Sequence, residues 1–445
     1  MTNKIMPTRE TMQAIRFGYG LPGPAGPKVK MQMPDRDQIL STINAFRDLK
    51  KQADRGASDV ERKARRAREK LIQLIGRQTK NHIARSVSPQ DDFEERLATF
   101  WFDHFSIEIT KFEASPFIQS YIEEAIRPNV MGHFSDLLAA AITHPAMVLY
   151  LDQGTSMGPN SFVANLRKQR GLNENLAREV LELHTLGVEA AYTQSDVREL
   201  AELFTGLSMD RHTFDFQFRP ALAEPGRETI LGQSYGGARL ARLEEVTPVF
   251  EDLAAHPSTA RHLARKLAIH FVADDPSEEL VGDLETSYHE NDGLLGAVYS
   301  VLRAHPEAKN RFGAKAKQPY DFIISSLRAL GVSGQDILKA ELKDLKSILL
   351  DPMHAMGQPW RQPGGPDGWP EAFDAWISPQ GMATRISWAM EAPKAMGLAS
   401  QEPEVILERA LGEIASERVR WAVPKAETRQ QGIGLVLASA EFNRR

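Results

Sequence analysis

Apolar side chains recur at helical spacing along almost the whole chain, and only one short stretch alternates. From Phe93 to Phe105 the apolar positions are Phe93, Leu97, Phe100, Trp101 and Phe105, one stripe of an α-helix. His104 lies on the edge of that stripe and is expected to be partly buried. The pair His-Pro occurs at 144–145, 256–257 and 305–306, each time after an apolar helical segment and before another. Proline suits the first position of a new helix, where its missing N–H costs nothing. These pairs read as helix-to-helix corners with histidine near the N-cap.

The only alternating segment is TFDFQFR at 213–219, with Phe214, Phe216 and Phe218 on one face. Its expected partner is Glu228–Leu231, giving one small hairpin over about 212–232. No series of βαβ units is present, which removes the parallel-sheet folds. The expected fold class is all-α: a multi-helix globular domain with one small β-hairpin and a long Pro/Gly/Trp loop at 351–370 (DPMHAMGQPWRQPGGPDGWP). The expected organisation is an N-terminal arm and basic helical segment over 1–90, then a main helical domain over 91–445. Residues 20–36 are Gly/Pro-rich and read as a loop.

Composition narrows the function. The 445 residues include no cysteine, which excludes disulfides, thiolate metal sites and cysteine nucleophiles. The net charge of -5 gives no global basic field for nucleic acid. Nine Lys and Arg residues fall between Arg62 and Arg85 against Glu69 alone, but no aromatic residue is interleaved to stack on bases, so a solvated helix face is expected. An acidic stretch at 271–300, with eight acids and no Lys or Arg, could offset it. The longest uncharged apolar run, Leu137–Leu151, is short of the roughly 20 residues a spanning helix needs. No secretory h-region is seen, so a cytoplasmic protein without a membrane span is expected.

Two motifs tempt. GYGLPG at 18–23 fits a dinucleotide-binding pattern, but Pro22 and Pro24 prevent the helix that must hold a pyrophosphate. GQSYG at 232–236 fits a nucleophile elbow around Ser234, but the parallel sheet of such hydrolases is missing. A hairpin turn explains its glycines.

The densest polar cluster lies on a helix expected over 173–186 and stopped by Gly187. Asn175, Arg178, Glu179 and Glu182 form one stripe, and Ala177, Leu181 and His184 another. One reading is an ordinary exposed face with Glu174–Arg178 and Arg178–Glu182 pairs. The other is a buried polar site, completed by His104 from a second helix, suited to a divalent metal or to acid–base work. Downstream, TQSD at 193–196 reads as a capping box.

Several segments occur in a fixed order: RFGYG at 16–20, FWFDHF at 100–105, NENLAREVLELHTLGV at 173–188 and YTQSDVRELAELFTGL at 192–207. ILGQ at 230–233, ARKLAIHFV at 264–272, MGQP at 356–359, GW at 368–369 and ASAEFNRR at 438–445 follow. Together they resemble the bacterial domain-of-unknown-function 1800 family over nearly the whole chain. The resemblance implies a helical protein with no established reaction. It also implies a partner from the domain-of-unknown-function 1501 family, which looks sulfatase-like and is often encoded beside it. Members often carry export signals, and tend to have a His-Asp pair shortly before ILGQ; here that stretch is ALAEPGRE.

Two functions follow as alternatives. In the first, an enzyme uses Glu179 or Glu182 as base or metal ligand. His104 and His184 serve as ligands or acid–base groups, Arg178 holds an anionic substrate, and the 351–370 loop closes over the site. In the second, a non-catalytic scaffold or partner protein uses the same residues to fix helix register.

Overall fold

The structure is a computed structural model, and it describes residues 7–23, 35–53, 58–108, 112–167, 171–238 and 240–445. Most of the Gly/Pro-rich segment at 20–36 lies outside the described residues. The basic region folds as two helices, α1 (Arg36–Ala53) and α2 (Ser58–Val87), packed along each other. α3 (Asp92–His104) follows. Its N-cap, Asp91, accepts hydrogen bonds from the backbone N–H groups of Phe93 and Glu94 at 2.8 and 2.9 Å.

α4 (Phe134–Thr143) and α5 (Pro145–Tyr150) meet at the first His-Pro corner. α6 (Asn175–Glu179) runs on into a π-helical turn, Val180–His184, and α7 (Gln194–Leu203) opens with the capping box read from TQSD. α8 (Thr247–Ala255) and α9 (Pro257–Phe271) flank the second corner; α10 (Glu278–Glu290) and α11 (Leu295–Ala304) precede the third. At all three corners histidine is the N-cap. The Nδ1 atoms of His144, His256 and His305 accept from the N–H groups of Ala146, Ser258 and Glu307 at 3.1 to 3.2 Å. α12 (Pro319–Ala329), α13 (Pro379–Ala395), α14 (Pro403–Ala410) and α15 (Arg429–Leu437) form the C-terminal part.

The fold is all-α with minor β structure, as the periodicity predicts. The strand pairing differs from the expectation. β1 (Leu207–Met209) pairs with β2 (Phe216–Phe218), while β3 (Arg227–Ile230) pairs with β4 (Gln233–Gly236). Two small antiparallel sheets therefore replace one hairpin. Phe214 leaves the alternation because its φ is +52°, so β2 starts two residues later. Leu231 and Gly232, with φ of +51° and +80°, make the tight turn between β3 and β4, which accounts for the GQSYG glycine without a nucleophile. The start of the predicted loop is also ordered, as a short helix Asp351–Ala355.

Two sets of buried apolar side chains make the interior. One spans most elements from α1 to α11; the other joins α12 to α15 with Ile15 and Tyr19. α2 serves both, through Leu71 and Leu74 in the first and Ile83 and Val87 in the second. α3 is buried nearly all round, not on one stripe. Trp101 is fully buried, and its indole N–H donates to Tyr299 Oη at 2.6 Å. Even Glu95 and Arg96 are buried, paired with Arg127 and Asp321 respectively. Among the described residues no helix is long and apolar enough to cross a membrane.

Candidate acid–base site

The polar cluster of α6 divides in two. On its outer face Arg178 donates to Glu182 at 3.0 Å, to Glu174 at 3.4 Å and to the Gln194 side chain at 3.1 Å. Its guanidinium is therefore engaged along its own helix and by the start of α7. Glu179 is half-buried. Desolvation first, then the charges of Glu182 and Asp367, raise its carboxyl to about 7.

On the inner face His184 meets His104, with ring centroids 5.7 Å apart. His104 Nε2 lies 3.1 Å from the His184 carbonyl oxygen, which can only accept, so this nitrogen carries the proton. His262 of α9 donates in the same way to the Leu183 carbonyl at 3.2 Å. Helix ends leave carbonyls without intrahelical partners, and the π turn at 180–184 presents these to imidazoles from two other helices. Gly187, at φ +89°, lets His262 come close: a Cβ there would lie 2.9 Å from His262 Nδ1.

Burial, then Lys266, holds His104 and His184 well below the ordinary imidazole range, His184 at about 3. The Nδ1 atoms of both are buried without partners. His104, Glu182 and His184 do not bring their ligating atoms together. Among the described residues, the one group of three or more that does is Glu199, Glu202 and Glu228.

A second constellation opens on the other side of α3, one residue before His104. Asp103 accepts from the backbone N–H of Trp369 at 3.0 and 3.2 Å. Gly368 makes this approach feasible. Its φ is +82°, and a Cβ there would fall 2.7 Å from the Asp103 carbonyl oxygen. Burial first, and then the charge of Glu371, raise the Asp103 carboxyl to about 8. Glu371 behaves oppositely. Burial pushes it up, but His270 and Lys315 beside it win and draw it down to about 2. Glu371 Oε1 is 2.5 Å from His270 Nδ1, and Oε2 is 3.3 Å from Lys315 Nζ. His270 Nε2 lies 3.0 Å from Arg96 Nη2; arginine has no acceptor, so Nε2 accepts and Nδ1–H donates to Glu371. Lys266 is drawn down by burial against the pull of Asp103, Glu371 and Asp367.

Asp103 and His270 line a pocket of about 70 Å³ walled by Phe100, Phe102, Tyr320, Trp360 and Trp369. The segments FWFDHF, ARKLAIHFV, MGQP and GW all border it through Asp103, His270, Gln358 and Trp369. His82, with a buried Nδ1 lacking a partner, and Arg361 also line it. The 356–372 part of the loop thus covers α3, held by Trp369 on Asp103, by Glu371 on His270, and by the Phe373 N–H on Asp274 at 2.7 Å.

Asp103, His270, Asp367 and Glu371 escape the periodicity argument. The available signals were an acid set among four aromatic residues in FWFDHF and the Gly-Trp pair at 368–369.

Comparison with curated proteins and with solved structures returns no match. A family model described as a protein of unknown function does match, over residues 15–444. The chain therefore belongs to the DUF1800 family.

Proposed function

We propose that the protein is an acid–base enzyme whose site is the pocket between the last turn of α3 and the 356–372 loop. Asp103 supplies a proton to the substrate, and Glu179 is the candidate base. Burial is the largest cause of the rise in both carboxyls, and the charge of Asp367 adds a smaller push to each, so one acidic group acts on both. The observation that carries the reading is the contrast between the surroundings of two carboxyls of one neighbourhood: Asp103 takes the Trp369 N–H at 3.0 Å beneath the loop, while Glu371 lies 2.5 Å from His270 and 3.3 Å from Lys315. Asp103 is held neutral at about 8, while Glu371 is held ionised at about 2. Environments that drive a pair of titratable groups apart are how one site holds an acid and a fixed charge at neutral pH. Glu371 stays ionised and orients His270. His104 and His262, bonded to backbone carbonyls, and His184, packed against His104, are positioning residues, too strongly desolvated to take up protons near pH 7. Arg178 and Glu182 neutralise each other on the outer face of α6.

The test is a carbon-13 NMR titration of labelled aspartate, with the Asp103 signal assigned by its loss in Asp103→Asn. A midpoint near 8 that falls in Glu371→Gln is expected. A midpoint below 5 would remove the proton donor and with it the proposal.

A further inference from the structure

Arg361 lines this pocket in a conformation that is costly for an arginine. Its φ is +55°, in a turn closed by the Gln362 N–H on the Pro359 carbonyl at 3.2 Å. That turn position ordinarily takes glycine. A non-glycine residue persists there when something else over-determines it. The side chain offers no internal reason. Its guanidinium donates to the Gln119 side chain and rests over the Trp360 ring at 5.0 Å. Nε is buried without a partner. Among the described residues no carboxylate lies within ion-pair distance of it. The one carboxylate whose charge acts on it, Glu123, is paired with Arg85 at 2.8 Å and lies 3.6 Å from Arg127.

Next to Arg361 stands His82, nine-tenths buried, its Nδ1 also without a partner. Its ring stacks edge-on to Trp360 at 5.2 Å, and Tyr320 closes the box at 5.8 Å from Trp360. A buried cation without a counter-charge is expensive. An aromatic wall beside it favours an apolar body. His82 is neutral, held well below its ordinary range by burial and by Arg361, so the two together carry one net positive charge.

We infer that Arg361 and His82 form a binding site for the carboxylate of a small monoanionic organic acid, whose apolar part lies against Trp360 and Tyr320 and whose reacting end faces Asp103. This names the substrate class of the site proposed above and rests on that reading for the role of Asp103 alone. A guanidinium edge matches a planar carboxylate, and one charge balances a monoanion better than a dianionic phosphate.

The experiment is calorimetric and thermal-shift titration of the whole chain with acetate, benzoate and inorganic phosphate at fixed ionic strength. Carboxylates are expected to raise the melting temperature. Arg361→Gln is expected to weaken them about 10- to 100-fold, the range for loss of a hydrogen bond to a charged group. Arg361→Gly relieves the turn. It should melt no lower than wild type yet lose carboxylate binding, which keeps the test informative if the glutamine variant folds poorly. The carboxylate titrations read Arg361 and His82, whereas the carbon-13 midpoint reads Asp103 in the ligand-free protein, so failure of the proton-donor reading is separable from failure of this one. Absence of carboxylate protection in the wild-type protein, or unchanged affinity in Arg361→Gly, overturns the site. Phosphate binding tighter than either carboxylate overturns the ligand class.

Discussion

His104 donates its Nε2 proton to the backbone carbonyl of His184 at 3.1 Å, and the two rings lie against each other with centroids 5.7 Å apart. Two imidazoles that in sequence resemble a metal pair thus clasp the end of α3 to the π turn after α6. Replacing His104 by alanine removes the clasp, leaves a buried carbonyl unsatisfied and opens a hole among Trp101, Phe105 and Phe134. A loss of about 3 kcal/mol is expected, the usual scale for a cavity plus an orphaned acceptor. Urea denaturation measures it. Chelator treatment of the wild-type protein should leave the melting temperature unchanged; a large drop would return these histidines to a metal.

The same burial makes stability depend on acid. His184 titrates at about 3 in the folded chain against an ordinary 6.5, and His104 is likewise depressed. Between those values the unfolded chain binds the extra proton, so stability is full above about 6.5 and falls as pH drops. Each such histidine contributes a slope of at most about 1.4 kcal/mol per pH unit. Denaturation midpoints from pH 7 to 4 should fall less steeply in His184→Gln than in wild type. Parallel curves would contradict the assignment.

How much of this was legible in the sequence depended on sequence distance. Periodicity and capping chemistry are local, so the α3 stripe, the three His-Pro corners and the TQSD capping box follow from short windows. The π turn at 180–184 does not: a 3.6-residue wheel still puts Arg178 beside Glu182, but the turn is what offers the Leu183 and His184 carbonyls to imidazoles from elsewhere. Asp103 and Glu371 lie on separate elements far apart in the chain, and no spacing rule links them. The pairing of β2 with β1 was likewise hidden. The alternation of Phe214, Phe216 and Phe218 says which face they share, and the left-handed turn at Phe214 decides where the strand begins.

Asp103→Asn should stabilise the protein, and more so as pH rises. The folded carboxyl titrates at about 8 against 3.8 in its ordinary state, so the folded chain binds the extra proton between those values. The wild type gains fully below about 3.8 and loses that gain as pH rises through 8. The slope is at most about 1.4 kcal/mol per pH unit. Asparagine cannot ionise, and its side-chain oxygen still accepts from the Trp369 N–H. The stability difference between variant and wild type should therefore widen from pH 5 to 8. A constant difference would mean that Asp103 is ionised throughout.

Gly368→Ala tests the seat of the loop. At φ +82° an alanine is strained, and its Cβ would fall 2.7 Å from the Asp103 carbonyl oxygen, backbone that cannot swing aside. The strain of a left-handed non-glycine residue is about 1 kcal/mol or more before any clash. The loop should lift, breaking the Trp369 N–H bonds to Asp103 while leaving Glu371 on His270. The expected outcome is faster amide exchange at Trp369, a modest fall in global stability, and an Asp103 that rehydrates. Its titration midpoint should then drop below about 8, because desolvation is the largest cause of the rise. Slow exchange at Trp369 with an unmoved midpoint would show that the glycine is not what brings the loop onto α3.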